Sequence, residues 1–173
     1  IDMNGTFDYS LRLFLTEEEI LEHKETIRKL GLFPVKAWTN MHMTVSEEIK
    51  HKHMENFKIV KLSDEAALKD WVDIYLETEE NTGLDYDDFN LIFNNPQFAL
   101  YTGYYDGLPV ATSMSFAAQN YLGLYLIAVK REFRKKGLGR EVTLYPMIES
   151  YQKNIKDCVL HATKAGSRLY EKI

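Results

Sequence analysis

Apolar residues fall at two different spacings along this chain, and the changes of spacing mark its elements. Leu68, Trp71, Val72, Tyr75 and Leu76 recur at i, i+3, i+4, i+7 and i+8, the period of one helix face. Ser63 stands ahead of them as the expected cap. Phe57 to Leu62, Phe98 to Tyr105, Leu108 to Ala117 and Leu122 to Val129 are shorter runs rich in β-branched and aromatic residues, which predicts strands. Asp106-Gly107 predicts a two-residue hairpin turn, and Gln119-Asn120 separates the next pair, so the last three of these strands form an antiparallel meander. Leu144, Met147, Ile148 and Tyr151 return to helical spacing, with Pro146 expected to kink the rod. Asp157 to Thr163 is a further strand, and a helix follows from about Ala165. A strand, a crossover helix and a parallel strand make the central unit.

The first third is less regular. Asn4-Gly5 marks a turn within Ile1 to Ser10. Thr16 with Glu19 three residues on is a capping-box pattern for a helix to about Leu30, which Gly31 ends before Pro34. Val35 to Val45 reads as a strand anchored by Trp38, and Ser46 to Asn56 as a polar linker or short helix. An acidic stretch, Glu77, Glu79, Glu80, Asp85, Asp87 and Asp88 around Gly83, reads as solvated surface or as a loop attractive to a cationic amine.

Composition narrows the class. The 173 residues suit one domain, or a domain and a small lobe. A net charge of -5 argues against nucleic acid as the main partner. The single cysteine, Cys158, allows no internal disulfide and suits a reducing cytoplasm; its apolar strand suggests an inert buried thiol. No apolar run approaches membrane-spanning length, and no signal-peptide pattern opens the sequence. His51 and His53 could share one face of an extended segment and bind a metal, yet no third ligand has convincing spacing; beside their lysines they read as solvated linker residues, and no metal is expected.

The chemistry concentrates in LGLYLIAVKREFRKKGLGR, Leu122 to Arg140. A buried strand runs into a basic turn and a glycine-rich helix start. Unpaired amides and partial positive charge at a helix N-terminus attract anions, and glycines let the backbone come close. The pattern points to a phosphate-bearing ligand held by main chain. A Walker loop is excluded because Arg140 and Glu141 follow Gly139, and a dinucleotide fingerprint because position 142 is Val142.

Arg134, Gly137 and Gly139 resemble the Arg/Gln-x-x-Gly-x-Gly/Ala signature of the GCN5-related N-acetyltransferases (GNAT). LHATKAGSRLYEKI, Leu160 to Ile173, is similar to the last motif of the same superfamily, including its Leu-Tyr-Glu-Lys. The resemblance covers about Phe57 to Ile173. It implies a mixed α/β acyltransferase fold with a mostly antiparallel sheet flanked by helices. Residues 57–173 would be the acetyltransferase domain, without the Gly-Phe pair and two final strands usual in the family. Residues 1–56 would be a small lobe, similar from Thr16 to Trp38 to a degenerate half-domain that binds no cofactor. Packing, homodimer contact or one wall of an acceptor cleft would be its job.

What the resemblance implies for function is transfer of an acetyl group from acetyl-CoA to an amine of a small molecule or peptide. The pyrophosphate would lie on Lys135, Lys136, Gly137, Leu138, Gly139 and Arg140, with added charge from Arg134. The strand ending at Val129 would carry a bulge and splay from the next strand, so that Ile127, Ala128 and Val129 pair with the pantetheine arm. An amide near Ile127 or Ala128 would polarise the thioester carbonyl. Tyr170 occupies the family's tyrosine position and would protonate the departing thiolate; Thr163 stands where an Asn often contacts the cofactor. His161, Tyr121, Tyr125 or an acidic group acting through water are open as the base. A non-catalytic coenzyme A sensor and an interaction protein with a relic loop are the competing readings.

Overall fold

The computed structural model describes residues 15–32, 38–79 and 84–173. They fall into two compact units, Ile1–Ala37 and Trp38–Ile173. In the first, the predicted helix is two short ones, α1 (Glu17–Glu22) and α2 (Lys24–Lys29), broken where His23 leaves helical geometry. The capping box is present: the Glu19 amide donates to the Thr16 hydroxyl at 3.2 Å, and the Thr16 amide to the Glu19 carboxylate at 2.7 Å. Gly31, at φ +69°, follows α2. Pro34 and the start of the expected Val35 strand lie outside the described residues.

The second unit is built on one six-stranded sheet, ordered β1-β6-β5-β4-β3-β2. Its strands are β1 (Thr39–Thr44), β2 (Phe57–Lys61), β3 (Phe98–Tyr105), β4 (Leu108–Ala118), β5 (Tyr121–Val129) and β6 (Asp157–Ala162). All neighbours are antiparallel except β5 and β6, which are parallel and joined by helix α5 (Leu138–Gln152). Asp106 and Gly107, both at positive φ, make the predicted hairpin between β3 and β4. Strand β1 pairs with β6 along its whole length, Thr39 opposite Ala162 and Thr44 opposite Asp157. Trp38, expected as its apolar anchor, is 43% exposed; Met41 and Met43 stand opposite Leu160 and Cys158 instead.

Helices cover both faces. Helix α3 (Glu65–Thr78) lays Leu68, Trp71, Val72 and Tyr75 on one face, over Leu100, Met114 and Ala128. Leu144 and Met147 of α5 pack on the other face against Leu122, Leu124 and Cys158. Two expectations fail here. The cap of α3 is Asp64, whose carboxylate accepts the Ala67 amide at 2.9 Å; Ser63 only donates to Asp64. Leu76 is exposed while Ile74 is buried. A helix not anticipated in the acidic stretch, α4 (Tyr86–Phe93), packs along α3 and sets Phe89 against the Trp71 and Tyr75 rings. Asp85 and Asp88 form its reciprocal cap, so two of the acidic residues serve the backbone.

The polar linker before β2 is also pinned. His51 Nδ1 lies 3.0 Å from the Glu141 carboxylate, which also accepts the Lys52 amide at 2.9 Å, and Glu141 is 3% exposed. His51 is therefore not the solvated residue its lysine-rich surroundings suggest. Among the described residues no group of three His, Cys, Asp or Glu is placed to hold a metal ion, and no helix is long and apolar enough to cross a membrane.

Cys158 gives the fold a measurable pH dependence. Burial pushes its thiol from 9.0 up to about 12. The folded chain then keeps a proton that the unfolded chain releases, so this contribution is complete below pH 9 and is lost as pH rises toward 12. Denaturant titrations should show stability falling by about 1 kcal/mol between pH 9 and 10. Cys158→Ala should flatten that slope; an unchanged slope would mean the thiol is not its source.

Candidate active site

Strand β5 changes character halfway along. Its pairing with β6 runs from Tyr121 opposite Asp157 to Leu124 opposite Leu160 and stops there. Its pairing with β4 continues to Val129, with a register shift between Thr112 and Met114. Leu126, at φ +51°, is the irregular residue, and its carbonyl accepts the Thr112 hydroxyl at 3.0 Å. One extra residue reverses which side chains face which side. Leu122 and Leu124 face the α5 layer, whereas Ala128, still even-numbered, belongs to the α3 layer. Beyond Leu124, Ile127, Ala128 and Val129 keep β4 on one edge and, among the described residues, have no strand on the other. The result is a fork between two parallel strands, lined on the β5 side by main-chain groups.

The turn after β5 leads directly to α5. Arg131–Phe133 is a single 3₁₀ turn, and Lys135 at φ +62° and Gly137 at φ +86° bend the chain into the helix. Gly137 is the N-cap and has no side chain to offer the helix amides. Among the described residues, none of the amides from Lys135 to Gly139 donates to a backbone carbonyl; the series resumes with Arg140 to Gly137 at 3.1 Å. Open space surrounds the Gly137 α-carbon, where a Cβ would meet nothing within 4 Å. Amides without backbone acceptors at a helix N-terminus, with exposed Lys135 and Lys136 beside them, fit a diphosphate.

The predicted cations are not all free for that purpose. Arg134 turns back, its Nε donating to the Val129 carbonyl at 2.9 Å and closing the end of β5. Arg140 pairs with Glu141 at 2.8 Å. Lys136 Nζ lies 5.5 Å from the centre of the Tyr105 ring. Lys130, which the motif does not include, is tied to Glu77 of α3 at 2.7 Å and holds that helix end against the base of the turn.

Helix α6 (Lys164–Tyr170) begins at Thr163, whose hydroxyl accepts the Gly166 amide at 3.1 Å. Thr163 thus works as a helix cap. Tyr170 is half-buried, and its phenol is near Thr143 on α5, two turns from the phosphate-type loop; burial pushes it up to about 12. It remains protonated throughout the neutral range and so keeps a proton to donate. Leu169 of the same helix approaches Gly139. Loop, fork and phenol are brought together. Of the candidate bases, Tyr125 and His161 are the first residues past the fork, on β5 and β6, while Tyr121 lies at the opposite end of β5.

No known protein family matches the chain by sequence, and no curated protein matches it either. Solved structures do match. The ribosomal-protein-S18-alanine N-acetyltransferase of Escherichia coli superposes with a TM-score of 0.60 at 18% identity, over 67% of this chain and 75% of that one. A GCN5-related N-acetyltransferase of Kribbella flavida gives 0.57 at 16% identity, over 71% of this chain; the match spans 47% of that protein, about half its length. Glucosamine-6-phosphate N-acetyltransferase of Arabidopsis thaliana gives 0.54 at 18%, over 68% and 90%. The chain has the GCN5-related N-acetyltransferase fold. Within this acetyltransferase fold, the central parallel pair is β5 and β6 with crossover helix α5, and the remaining strands are antiparallel. Its sixth strand, β1, comes from the residues that precede β2 in sequence. The bulge in β5 has no signature in LGLYLIAV; a left-handed Leu126 is an outlier that no residue type announces.

Proposed function

We propose that the protein is an acetyl-CoA-dependent N-acetyltransferase acting on a primary amine of a small molecule or peptide. One observation carries this reading: the unpaired amides of Lys135 to Gly139 open beside a β5–β6 fork whose β5 edge has lost its partner strand. The first feature suits a diphosphate, and the second suits an extended arm that adds to a strand edge. Matched structures with this fold are named for an alanine of ribosomal protein S18 and for glucosamine-6-phosphate, so both acceptor sizes suit the reading.

In this mechanism the cosubstrate supplies a thioester, and the chain supplies placement and protons. The loop from Lys135 to Arg140 holds the diphosphate. Ile127, Ala128 and Val129 offer main-chain hydrogen bonds to the arm, and an amide near Ile127 or Ala128 donates to the carbonyl oxygen as it gains negative charge. Tyr170, kept neutral by burial, protonates the departing sulfur. Calorimetry with acetyl-CoA, followed by thiol release assays with an alanine-ended peptide and glucosamine-6-phosphate, tests the proposal. Binding with amine-dependent thiol release is expected. No heat at millimolar acetyl-CoA would exclude it.

A further inference from the structure

On one sheet face helix α3 packs over β3, β4 and the Ala128 end of β5, and α4 packs on β3. On the rest of that face the side chains of β5, β6 and β1 that point away from α5 are exposed: Tyr125, Val159, His161 and His42 among them. They surround a hollow of about 310 Å³ bounded by Asn40, His42, Tyr125, Val159, Leu160 and His161. Its position relative to the fork follows from register. Leu124 and Leu160 are the last paired residues, Tyr125 and His161 are the next on each strand, and Asn40 stands opposite His161. The hollow therefore opens onto the place where β5 and β6 part.

Its walls are organised. A Cβ on Gly123 would lie 2.6 Å from the Tyr125 ring, so the absent side chain lets that ring lie flat across the strand beside the hollow. His42 Nε2 lies 3.1 Å from Asp157, and the same carboxylate oxygen accepts the Thr44 hydroxyl at 3.1 Å. Asp157 thus fixes the His42 ring from the neighbouring strand. No Lys, Arg, Asp or Glu lines the hollow; its polar groups are two imidazoles, an amide and a phenol. Such a set recognises hydroxyls and amides by hydrogen bonding.

We infer that this hollow receives the acceptor, and that strand β1, through Asn40 and the Asp157-held His42, forms its outer wall. The acceptor is then a primary amine on a compact, hydroxyl- or amide-bearing body rather than a hydrocarbon one. This inference rests on the acetyl-CoA reading above, and its test separates the two.

Bromoacetyl-CoA places an alkylating carbon where the acetyl group would sit. A cysteine thiolate within reach attacks that carbon, a sulfur–carbon bond forms, and bromide leaves. Native Cys158 is buried, which keeps the background low. His161→Cys and Asn40→Cys should each be alkylated about a hundredfold faster by bromoacetyl-CoA than by equimolar bromoacetamide, because binding supplies the proximity. Lys58→Cys on the far edge strand should show no such preference. Mass spectrometry of the modified peptide reads the site, and either of the two variants suffices if the other fails to fold. Coenzyme A binding in calorimetry without preferential labelling at 161 or 40 overturns this inference and spares the acetyl-CoA reading. Absence of coenzyme A binding overturns both. Glucosamine should slow the labelling more than hexylamine does; protection by glucosamine that does not exceed that by hexylamine overturns the polar assignment.

Discussion

Replacing Gly137 with valine should weaken acetyl-CoA binding by about a hundredfold or more, read by calorimetry against the unmodified chain. Two effects combine. Gly137 sits at φ +86°, and a β-branched residue held there costs about 1–3 kcal/mol of strain. Its new methyl groups would also project into the space on which the unpaired amides open, since nothing in the protein already fills it. Losing two hydrogen bonds to a charged group costs about 3 kcal/mol, which is the hundredfold. Gly137→Asn separates the effects, because asparagine tolerates left-handed geometry while still carrying bulk. Asn should retain most of the thermal stability and still lose binding. If the Asn variant binds acetyl-CoA normally, the diphosphate does not rest on this turn.

Tyr170→Phe should lower kcat by about 10²–10³-fold and leave acetyl-CoA affinity unchanged, as expected for removal of a general acid. The phenol lies near Thr143 on α5, and burial keeps its proton in place to about pH 12. Loss of this proton therefore cannot limit the reaction at neutral pH. Phenylalanine preserves the ring that packs beside α5, so stability should change little. Turnover that survives the substitution would assign protonation of the sulfur to solvent or another group.

Most of the acetyltransferase fold was legible because its elements are local. The apolar runs of β3, β4 and β5, the Asp106-Gly107 turn and the crossover helix announce themselves within short windows. What was hidden depends on partners far away in sequence. His51 looked solvated because nothing nearby names Glu141, which buries its carboxylate against it. Helix α4 was missed because its acidic residues were weighed as charge; Asp85 with Asp88 three positions on is itself a cap pattern. Ser63 and Asp64 are both good caps by type, and only geometry selects the second. The phosphate-type loop could be read from glycine and lysine spacing. The fork was expected only through the family resemblance, because pairing between β5 and β6 ends by register and not by composition.

Strand β1 has one further consequence, for the order in which the molecule is assembled. During synthesis it leaves the ribosome before the rest of the sheet, yet its hydrogen-bonding partner follows far later: His42 and Asp157 are 115 positions apart. Closing so large a loop costs entropy before any contact rewards it. The meander and crossover, whose contacts are closer in sequence, are therefore expected to form before the β1–β6 seam closes.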